Sequence, residues 1–299
     1  MSILRALRQK AERASTGLPE LMAEAERAVL HVQAGTHNQK RAGSGEKFWQ
    51  FREYDISDRP QDVDWRQSAK SDRIYVRQKE WQTTQSVYIW AQNNALMDFT
   101  SQKMLPTKGI AAKILALAFA ILMSRAGELI APITRRVPAG RSELALEKLG
   151  HALIEDTTPH LPDARQATLK NRSTLILLGD FLAPLDDIQT MIDNFSAPVS
   201  QAILVQILDP AELNLPYDGR VLFESPAGST VSQIIENVSD IREAYQARIT
   251  DHNQNLQKIC KKAGWHYLLH DTSFDIRRTL HEAHYILSPE YFAQSGGAR

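Results

Sequence analysis

The chain has 299 residues, and its 35 Lys and Arg residues balance 35 Asp and Glu residues, so the formal net charge is zero. A neutral chain has no general electrostatic attraction for nucleic acid or for anionic membranes, and we expect neither as a partner. The one cysteine, Cys260, excludes an intramolecular disulfide and is consistent with a reducing compartment.

Residues 1–12 alternate charged and small residues and lack the apolar core of a secretory signal. The longest apolar stretch, residues 110–123, is interrupted by Lys113 and is shorter than the ~18–20 residues that span a bilayer. This stretch predicts a buried core helix, and we expect a cytoplasmic protein.

The first part of the chain differs in composition from the rest. Apolar residues at helical spacing predict a helix within residues 1–34, and a glycine-rich break follows at residues 35–45. Residues 46–82 contain three of the five tryptophans and dense charges of both signs. We predict short strands at 48–54 and 74–81 here, with a turn near 58–60.

From residue 84 onwards, apolar runs of strand length alternate with longer helical stretches, which predicts a parallel sheet covered on both faces. Strands are predicted at 86–91, 128–133, 173–179, 201–208, 221–224 and 265–270, and helices at 107–125, 142–154, 185–195, 231–263 and 275–285. The sequence therefore predicts an α/β protein with a Rossmann-like, doubly wound, mostly parallel sheet over residues 83–290. An N-terminal helical and short-strand extension (1–82) precedes the sheet, and a flexible tail (291–299) follows it.

Ligands of open α/β sheets bind at the carboxyl ends of the strands. The loop at residues 92–97 follows the first predicted core strand, and Asp180, Asp209 and Asp271 follow later ones. Asp209 and Asp271 are typical of turns and helix caps. Asp180 is the better ligand-binding candidate because it follows a strand with four consecutive apolar residues.

Several motifs together resemble one bacterial family. The stretches GEKFWQFREY (45–54) and VDWRQSA (63–69) fit the family signatures GE-FW-x-x-R-x-Y and IDWR-x-SA. Shorter matches are YVR (75–77), EW (80–81), GDF (179–181), LDPAE (208–212), LP (215–216) and GR (219–220). Over about residues 18–287 the chain is similar to the "domain of unknown function 58" family.

This resemblance implies a fold, a partner and a set of residues. The family's core is similar to a von Willebrand factor A domain, and its members are associated with MoxR-type AAA+ ATPases and have no established enzymatic activity. We therefore expect a non-catalytic adaptor that brings a client protein to such an ATPase in protein maturation or complex assembly. The residues that carry the signature segment are Arg52, Tyr54, Asp64, Trp65 and Arg66.

The resemblance also implies a metal-ion-dependent adhesion site, which normally reads Asp-x-Ser-x-Ser after the first core strand. Gln92, Asn94 and Leu96 stand at these three positions, and Asp180 keeps the distal carboxylate. Mg²⁺ prefers about six hard oxygen ligands, whereas Gln92 is a neutral amide and Leu96 offers no ligand. We expect a degenerate, partner-binding site at these four residues and no cofactor. The alternative is a weak Mg²⁺ site built from Asn94, Asp180 and water.

Two further questions stay open at this stage. The segment 46–82 forms an ion-paired subdomain, with Asp64 beside Arg66 or Arg52, or it is a docking surface for the ATPase or for nucleic acid. For the whole protein, the alternative function is a metal-dependent hydrolase that uses Asp180 and other carboxylates at the strand tops. Against an enzyme, the sequence has no Walker A loop, no Gly-x-Ser-x-Gly elbow and no Gly-x-Gly-x-x-Gly motif.

We predict structural or surface roles for the remaining reactive side chains. His266 and His270 fall on one face of a predicted strand, and His281 and His284 lie three residues apart on a predicted helix. Neither pair has a third ligand at a recognised zinc spacing. Cys260 is predicted to be a packing residue.

Overall fold

The computed structural model describes residues 22–30, 48–55, 63–70, 73–79, 85–165, 167–225 and 232–287. These residues form two compact units. We call the first the sheet unit, which contains helix α1 (22–30) and the described residues from 85 onwards, and the second the signature unit, which contains those between 37 and 84. The predicted turn at 58–60, the glycine-rich break and the tail at 291–299 lie outside the described residues.

The signature unit is a two-stranded antiparallel sheet with one short helix. Strand β1 (Phe48–Glu53) pairs with β2 (Tyr75–Lys79), and α2 (Trp65–Ser68) lies between them in the chain. Both strands were predicted, and the single helical turn was not. Four residues contain too little periodicity for a helix to be recognised.

The sheet unit alternates strands and helices along the chain. Its elements after α1 are β3 (Ser86–Ala91), α3 (Lys108–Arg125), β4 (Leu129–Pro132), α4 (Glu143–Glu155), β5 (Ser173–Gly179), α5 (Leu185–Ser196), β6 (Val199–Leu208), α6 (Pro210–Asn214), β7 (Val221–Glu224), β8 (Ser232–Ile235), α7 (Arg242–Lys262), β9 (His266–Asp271) and α8 (Ile276–Ile286). Five of these strands form one sheet in the order β4-β3-β5-β6-β9, and every pair in it is parallel. The α/β class and the parallel sheet are thereby confirmed, and the architecture is compatible with the predicted Rossmann-like fold.

Both faces of the sheet are buried, which explains the continuous apolar runs of its strands. All seven residues of β5 are buried, and successive residues contribute to opposite cores. Ile176 and Leu178 pack towards the core that contains α1, α3, α4 and α8, whereas Leu175 and Leu177 pack towards the core that contains α5 and α7. Because successive side chains point to opposite faces, one apolar strand contributes side chains to both cores.

Helix α3 is the most deeply buried helix described. Its residues from Ala111 to Met123 are apolar except Lys113, and almost all of them are buried, which confirms the predicted core helix. None of the helices that the structure describes is both long enough and apolar enough to cross a membrane.

Two predictions about segmentation differ from the structure. The long helix predicted at 231–263 is a strand, β8, followed by the helix α7. The β-branched and apolar residues of β8 pair antiparallel with β7, and this pairing overrides local helix propensity. Helix α1 was assigned to the N-terminal extension, but its Ala25 and Val29 are fully buried in the core of the sheet unit.

Candidate functional site at the strand tops

The candidate site lies at the point in the sheet where the strand order reverses. Numbered along the chain, the strands of the sheet have the order 2-1-3-4-5, and the reversal point lies between β3 and β5. Such a point is where doubly wound sheets bind ligands, because the loops at the strand tops separate there. Gln92 follows β3, and Asp180 follows β5.

Gln92 and Asp180 are in direct contact. The backbone N–H of Asp180 donates to Oε1 of Gln92 at 3.0 Å, and both residues are buried. The preceding residue has to be small, since a Cβ atom on Gly179 would lie 2.7 Å from the same oxygen. The neutral amide at position 92 therefore holds the loop that carries the carboxylate.

Asn94 and Leu96 belong to the same loop. Oδ1 of Asn94 accepts hydrogen bonds from Nε2 of Gln92 at 3.3 Å and from the backbone N–H of Leu96 at 3.1 Å. The second bond caps a turn of 3-10 helix, Ala95–Met97. The carbonyl oxygen of Asn94 thus already has two donors, and the side chain acts as a loop cap.

Lys108 is the central charge of the site. It is the first residue of α3, and its side chain is only 2% exposed. Its Nζ donates to Oε1 of Glu212 at 2.7 Å and to Oδ2 of Asp180 at 3.4 Å. An ammonium group at the start of a helix meets the positive end of the helix dipole, so the two carboxylates are the favourable partners that hold it there.

Glu212 is held in place by the start of helix α6. Asp209 caps this helix by accepting from the backbone N–H of Ala211 at 2.8 Å, which agrees with its predicted capping role. In return, the backbone N–H of Asp209 donates to Oε2 of Glu212 at 2.9 Å. The capping box therefore holds one carboxylate oxygen of Glu212 and leaves the other for Lys108.

His160 completes the group of charges around Asp180. Its Nε2 lies 3.0 Å from Oδ1 of Asp180, and its side chain is about one-third exposed, at 36%. The backbone N–H of Leu182 donates to the same oxygen at 3.4 Å. Both oxygens of Asp180 therefore have donors.

These contacts shift the protonation equilibria in different directions. Burial disfavours the charged form of Asp180, but the hydrogen bond from His160 and the positive charge of Lys108 together hold its pKa below the ordinary value. Burial raises the pKa of Glu212 despite its contact with Lys108. The hydrogen bond to Asp180 raises the pKa of His160. The surroundings therefore favour the anionic form of Asp180 and the protonated form of His160, whereas burial favours the neutral form of Glu212.

A cavity of about 620 Å³ opens beside this group of charges. Lys108, His160, Asp180 and Glu212 contribute polar surface to it. Its other walls are mainly apolar and come from the 95–97 turn, from α6 and its following loop, from β7 and from α7. The apolar and aromatic residues that line it are Leu96, Phe99, Leu182, Ala211, Leu215, Tyr217, Val221, Leu222, Phe223 and Tyr245.

In the described ranges, no group of three or more His, Cys, Asp or Glu side chains is arranged to hold a metal ion. At the strand tops, Lys108 supplies positive charge to the carboxylates of Asp180 and Glu212. The oxygen donors that the sequence left for a weak Mg²⁺ site, those of Asn94 and Asp180, all accept hydrogen bonds from protein groups.

A family model described as "Protein of unknown function DUF58" matches residues 50–255 of the chain. The chain belongs to this family. Searches of curated proteins and of solved structures found no match.

The structure brings together Gln92, Asn94, Leu96 and Asp180 through the contacts described above. The role of these residues in binding a partner stays a prediction. The predicted signature residues belong to the other compact unit. There, Asp64 caps α2 by accepting from the backbone N–H of Gln67 at 3.0 Å, and Trp65 is 67% exposed.

The sequence analysis missed Lys108, His160 and Glu212. Lys108 and His160 lie outside the quoted motifs, and Glu212 is the last residue of the LDPAE match, which served only to support the family resemblance. No spacing rule connects residues so far apart in the chain. One available signal was Lys108 itself, a charged residue at the start of the most apolar helical stretch.

Replacement of Lys108 by methionine is expected to lower the free energy of unfolding by about 3–5 kcal/mol, because it removes the cation from the buried carboxylate of Asp180 and the half-buried carboxylate of Glu212. The matched control is Lys103→Met in the preceding loop, where the lysine is exposed; its effect should stay within about 0.5 kcal/mol. Urea unfolding followed by circular dichroism measures both. Equal effects of the two substitutions would show that the ion pairs contribute nothing.

Replacement of His160 by glutamine is expected to change the pH dependence of stability. A raised pKa in the folded state means that protonated His160 stabilises the fold fully below its ordinary pKa of about 6.5, and that this contribution is lost as the pH rises through the folded value. The stability difference between wild type and His160→Gln should therefore be larger at about pH 6 than at about pH 9, by about 0.2–1 kcal/mol for a partly exposed pair. A difference that does not vary with pH would contradict this assignment.

Proposed function

We propose that this DUF58 protein is a non-catalytic, protein-binding adaptor that acts with a MoxR-type AAA+ ATPase in protein maturation or complex assembly. Its binding surface is the strand-top cavity with the loops around it. The observation that carries this proposal is the buried Lys108 ammonium between Asp180 and Glu212. A site with its own cation needs no divalent ion to offset the charge of Asp180.

The cavity has the composition of a protein-binding pocket. Its walls are largely apolar and aromatic, and the charged or polar residues that line it are Lys108, His160, Asp180, Glu212 and Glu224. Leu182 and Leu222 line it and are 37% and 51% exposed, so apolar surface continues from the cavity to the protein surface. An apolar side chain of a partner that fills such a pocket is the usual anchor of an interface.

We also propose that the fold is of the von Willebrand factor A type. In that type, the loop after the first core strand and an aspartate from a later loop hold a metal ion that engages the partner. Here Gln92 and Asn94 are occupied with loop hydrogen bonds, and Asp180 accepts from Lys108 and His160. We regard the site as a degenerate adhesion site in which a lysine replaces the ion.

The identity of the partner rests on the family resemblance, since DUF58 members are associated with MoxR-type ATPases. Nothing in the strand-top chemistry requires nucleic acid, because the site combines charges of both signs with apolar walls. A protein surface with an exposed apolar side chain is the complementary partner.

The adaptor role predicts co-purification of this protein with its MoxR-type ATPase. Leu222→Asp, at the cavity, is expected to weaken the complex at least about tenfold, as for an anchor residue at an interface. Leu144→Asp is the matched control, because Leu144 is similarly exposed, at 56%, but lies on α4, which does not line the cavity. Absence of a complex, with and without nucleotide, would refute the adaptor role. Equal loss of ATPase binding in both variants would refute the placement of the binding surface at the cavity.

The proposal also predicts that divalent ions leave the free protein unchanged. Melting temperatures in EDTA and in Mg²⁺ should agree, and calorimetric titration with Mg²⁺ should give no heat of binding, because Lys108 already neutralises the carboxylates. A rise in melting temperature with Mg²⁺ that disappears in Asp180→Asn would contradict the built-in cation and restore a metal site.

One observation favours the alternative function, a hydrolase. His160 and Asp180 form a histidine–carboxylate pair beside the cavity, and such a pair can orient an imidazole as a general base. Screens of phosphatase and esterase substrates with Mg²⁺ or Mn²⁺ separate the two functions. Activity that is lost in Asp180→Ala and retained in Leu144→Asp would replace the adaptor proposal.

A further inference from the structure

One wall of the strand-top cavity is a strand with an open edge. All four residues of β7 (221–224) line this cavity, whose volume is about 620 Å³. Successive side chains of a strand point to opposite faces, so a cavity beside one face alone would be lined by alternate residues. The lining by four consecutive residues therefore indicates that the cavity runs along an edge of β7.

The other edge of β7 is occupied by β8. The two strands form a two-stranded antiparallel sheet in which each residue of β7 has a partner on β8, and no residue of β8 (232–235) lines the cavity. In such a pair, residues alternate between those that bond to the partner strand and those whose N–H and C=O groups point away from it. Two residues of β7 consequently direct backbone groups to the outer edge, where the described residues provide no further backbone hydrogen bond for 221–224.

An open strand edge beside a pocket is suited to an extended peptide. Two-stranded hairpins are marginally stable in water, and peptides bind to proteins by adding a strand to an exposed sheet edge. Main-chain hydrogen bonds give such a complex its affinity, and pockets for alternate side chains give it specificity. The edge of β7 combines both features, because a cavity large enough for a drug-sized ligand lies beside it.

The side chains of β7 define the chemistry of the added segment. Leu222 and Glu224 are both exposed and lie two residues apart, on the same face of the strand. Residues directly opposite each other on neighbouring strands interact, and opposite charges stabilise the pairing. The complementary segment therefore has an apolar residue opposite Leu222 and, two positions away, a basic residue opposite Glu224.

Glu224 is the carboxylate of the cavity lining that is open to a new ion pair. Asp180 and Glu212, the other two carboxylates of the lining, both contact Lys108. Within the described ranges, no hydrogen bond or ion pair joins the Glu224 side chain to another residue. A basic side chain of a partner can therefore reach Glu224 without breaking an existing contact.

We propose that the outer edge of β7 binds an extended segment of the partner protein as a third strand, with an apolar side chain beside Leu222 and a basic side chain beside Glu224. This inference rests on the proposed function, because it takes the strand-top cavity as the partner-binding surface. It specifies the part of the partner that binds there: an extended segment with a basic residue two positions from an apolar one.

The test is a titration of the full-length protein with synthetic peptides, followed by NMR of its backbone amides. The probe, acetyl-TKTLTKT-amide, places a lysine two positions from the leucine in either strand direction. It is expected to shift the amide signals of Leu222 and Glu224 with a dissociation constant of about 1 mM or lower. The rearranged peptide acetyl-TTKLKTT-amide places both lysines on the face opposite to the leucine, so it should bind about threefold more weakly.

Two N-methylated versions of the probe test the main-chain pairing, one methylated at its odd-numbered residues and the other at its even-numbered residues. Alternate residues of a strand direct their N–H groups to the same side, so only one version loses the donors that face β7. That version should bind at least about tenfold more weakly, and the other should bind within about twofold of the parent probe.

Two variants of the protein locate the charge contact. Glu224→Gln keeps the size of the side chain and removes its charge, so it should weaken binding of the probe about threefold. The matched control is Glu143→Gln, at an exposed position on α4 that does not line the cavity, and it should leave binding unchanged.

Four results would overturn the inference. Equal binding of the two N-methylated versions would show that the backbone of β7 is not used, and equal binding of the probe and the rearranged peptide would refute the side-chain pattern. A dimer of the free protein in sedimentation experiments that the probe dissociates would assign the edge to a second copy of the chain. The fourth result is failure of the probe to bind to protein that still forms the ATPase complex, which would leave the adaptor role intact.

The opposite combination separates the two proposals. Binding of the probe at β7 together with absence of an ATPase complex would support the edge site and refute the adaptor role.

Discussion

The buried ammonium group of Lys108 is the interaction on which the strand-top site depends. Transfer of this charge from water to the interior costs several kcal/mol, and the start of a helix is an unfavourable place for a cation. Asp180 and Glu212 offset that cost, and they in turn would repel each other without the lysine. The three residues come from a helix, a strand-top loop and a short helix, so the ion pairs also fix the relative position of these elements.

Each carboxylate is positioned by a backbone contact in addition to its contact with Lys108. Gln92 holds the loop of Asp180 through the Asp180 N–H, and the capping box of α6 holds Glu212 through the Asp209 N–H. A site whose charges are already oriented loses little conformational entropy when a partner binds. Gln92 and Asn94, which depart from the expected metal-binding motif, therefore hold the strand-top loops in place.

The two predicted site regions have different structural roles. In the signature unit, Asp64 is a helix cap and Val63 and Val76 are buried, so part of the family signature maintains that unit's own fold. Trp65, which directly follows Asp64 in the motif, is largely exposed and is available for contact with other molecules. In the sheet unit, Gln92 and Asp180 are buried, and Leu96 and Asp180 line the strand-top cavity.

Local periodicity in the amino-acid sequence was enough to predict most strands and helices of the sheet unit. The apolar runs of β3, β5 and β6 and the apolar helix α3 were predictable because burial on all sides leaves an unmistakable composition, and the parallel sheet follows from their alternation with helices. The position of the loop 92–97 and of Asp180 at the strand tops was predictable because strand tops follow from strand positions, whereas the choice of Gln92, Asn94 and Leu96 within that loop rested on the family resemblance. Tertiary structure alone decided the pairing of β7 with β8, the packing of α1 on the sheet, and the contacts of Lys108 with Asp180 and Glu212. These contacts join residues that are far apart in the chain, so no periodic pattern in the sequence reveals them.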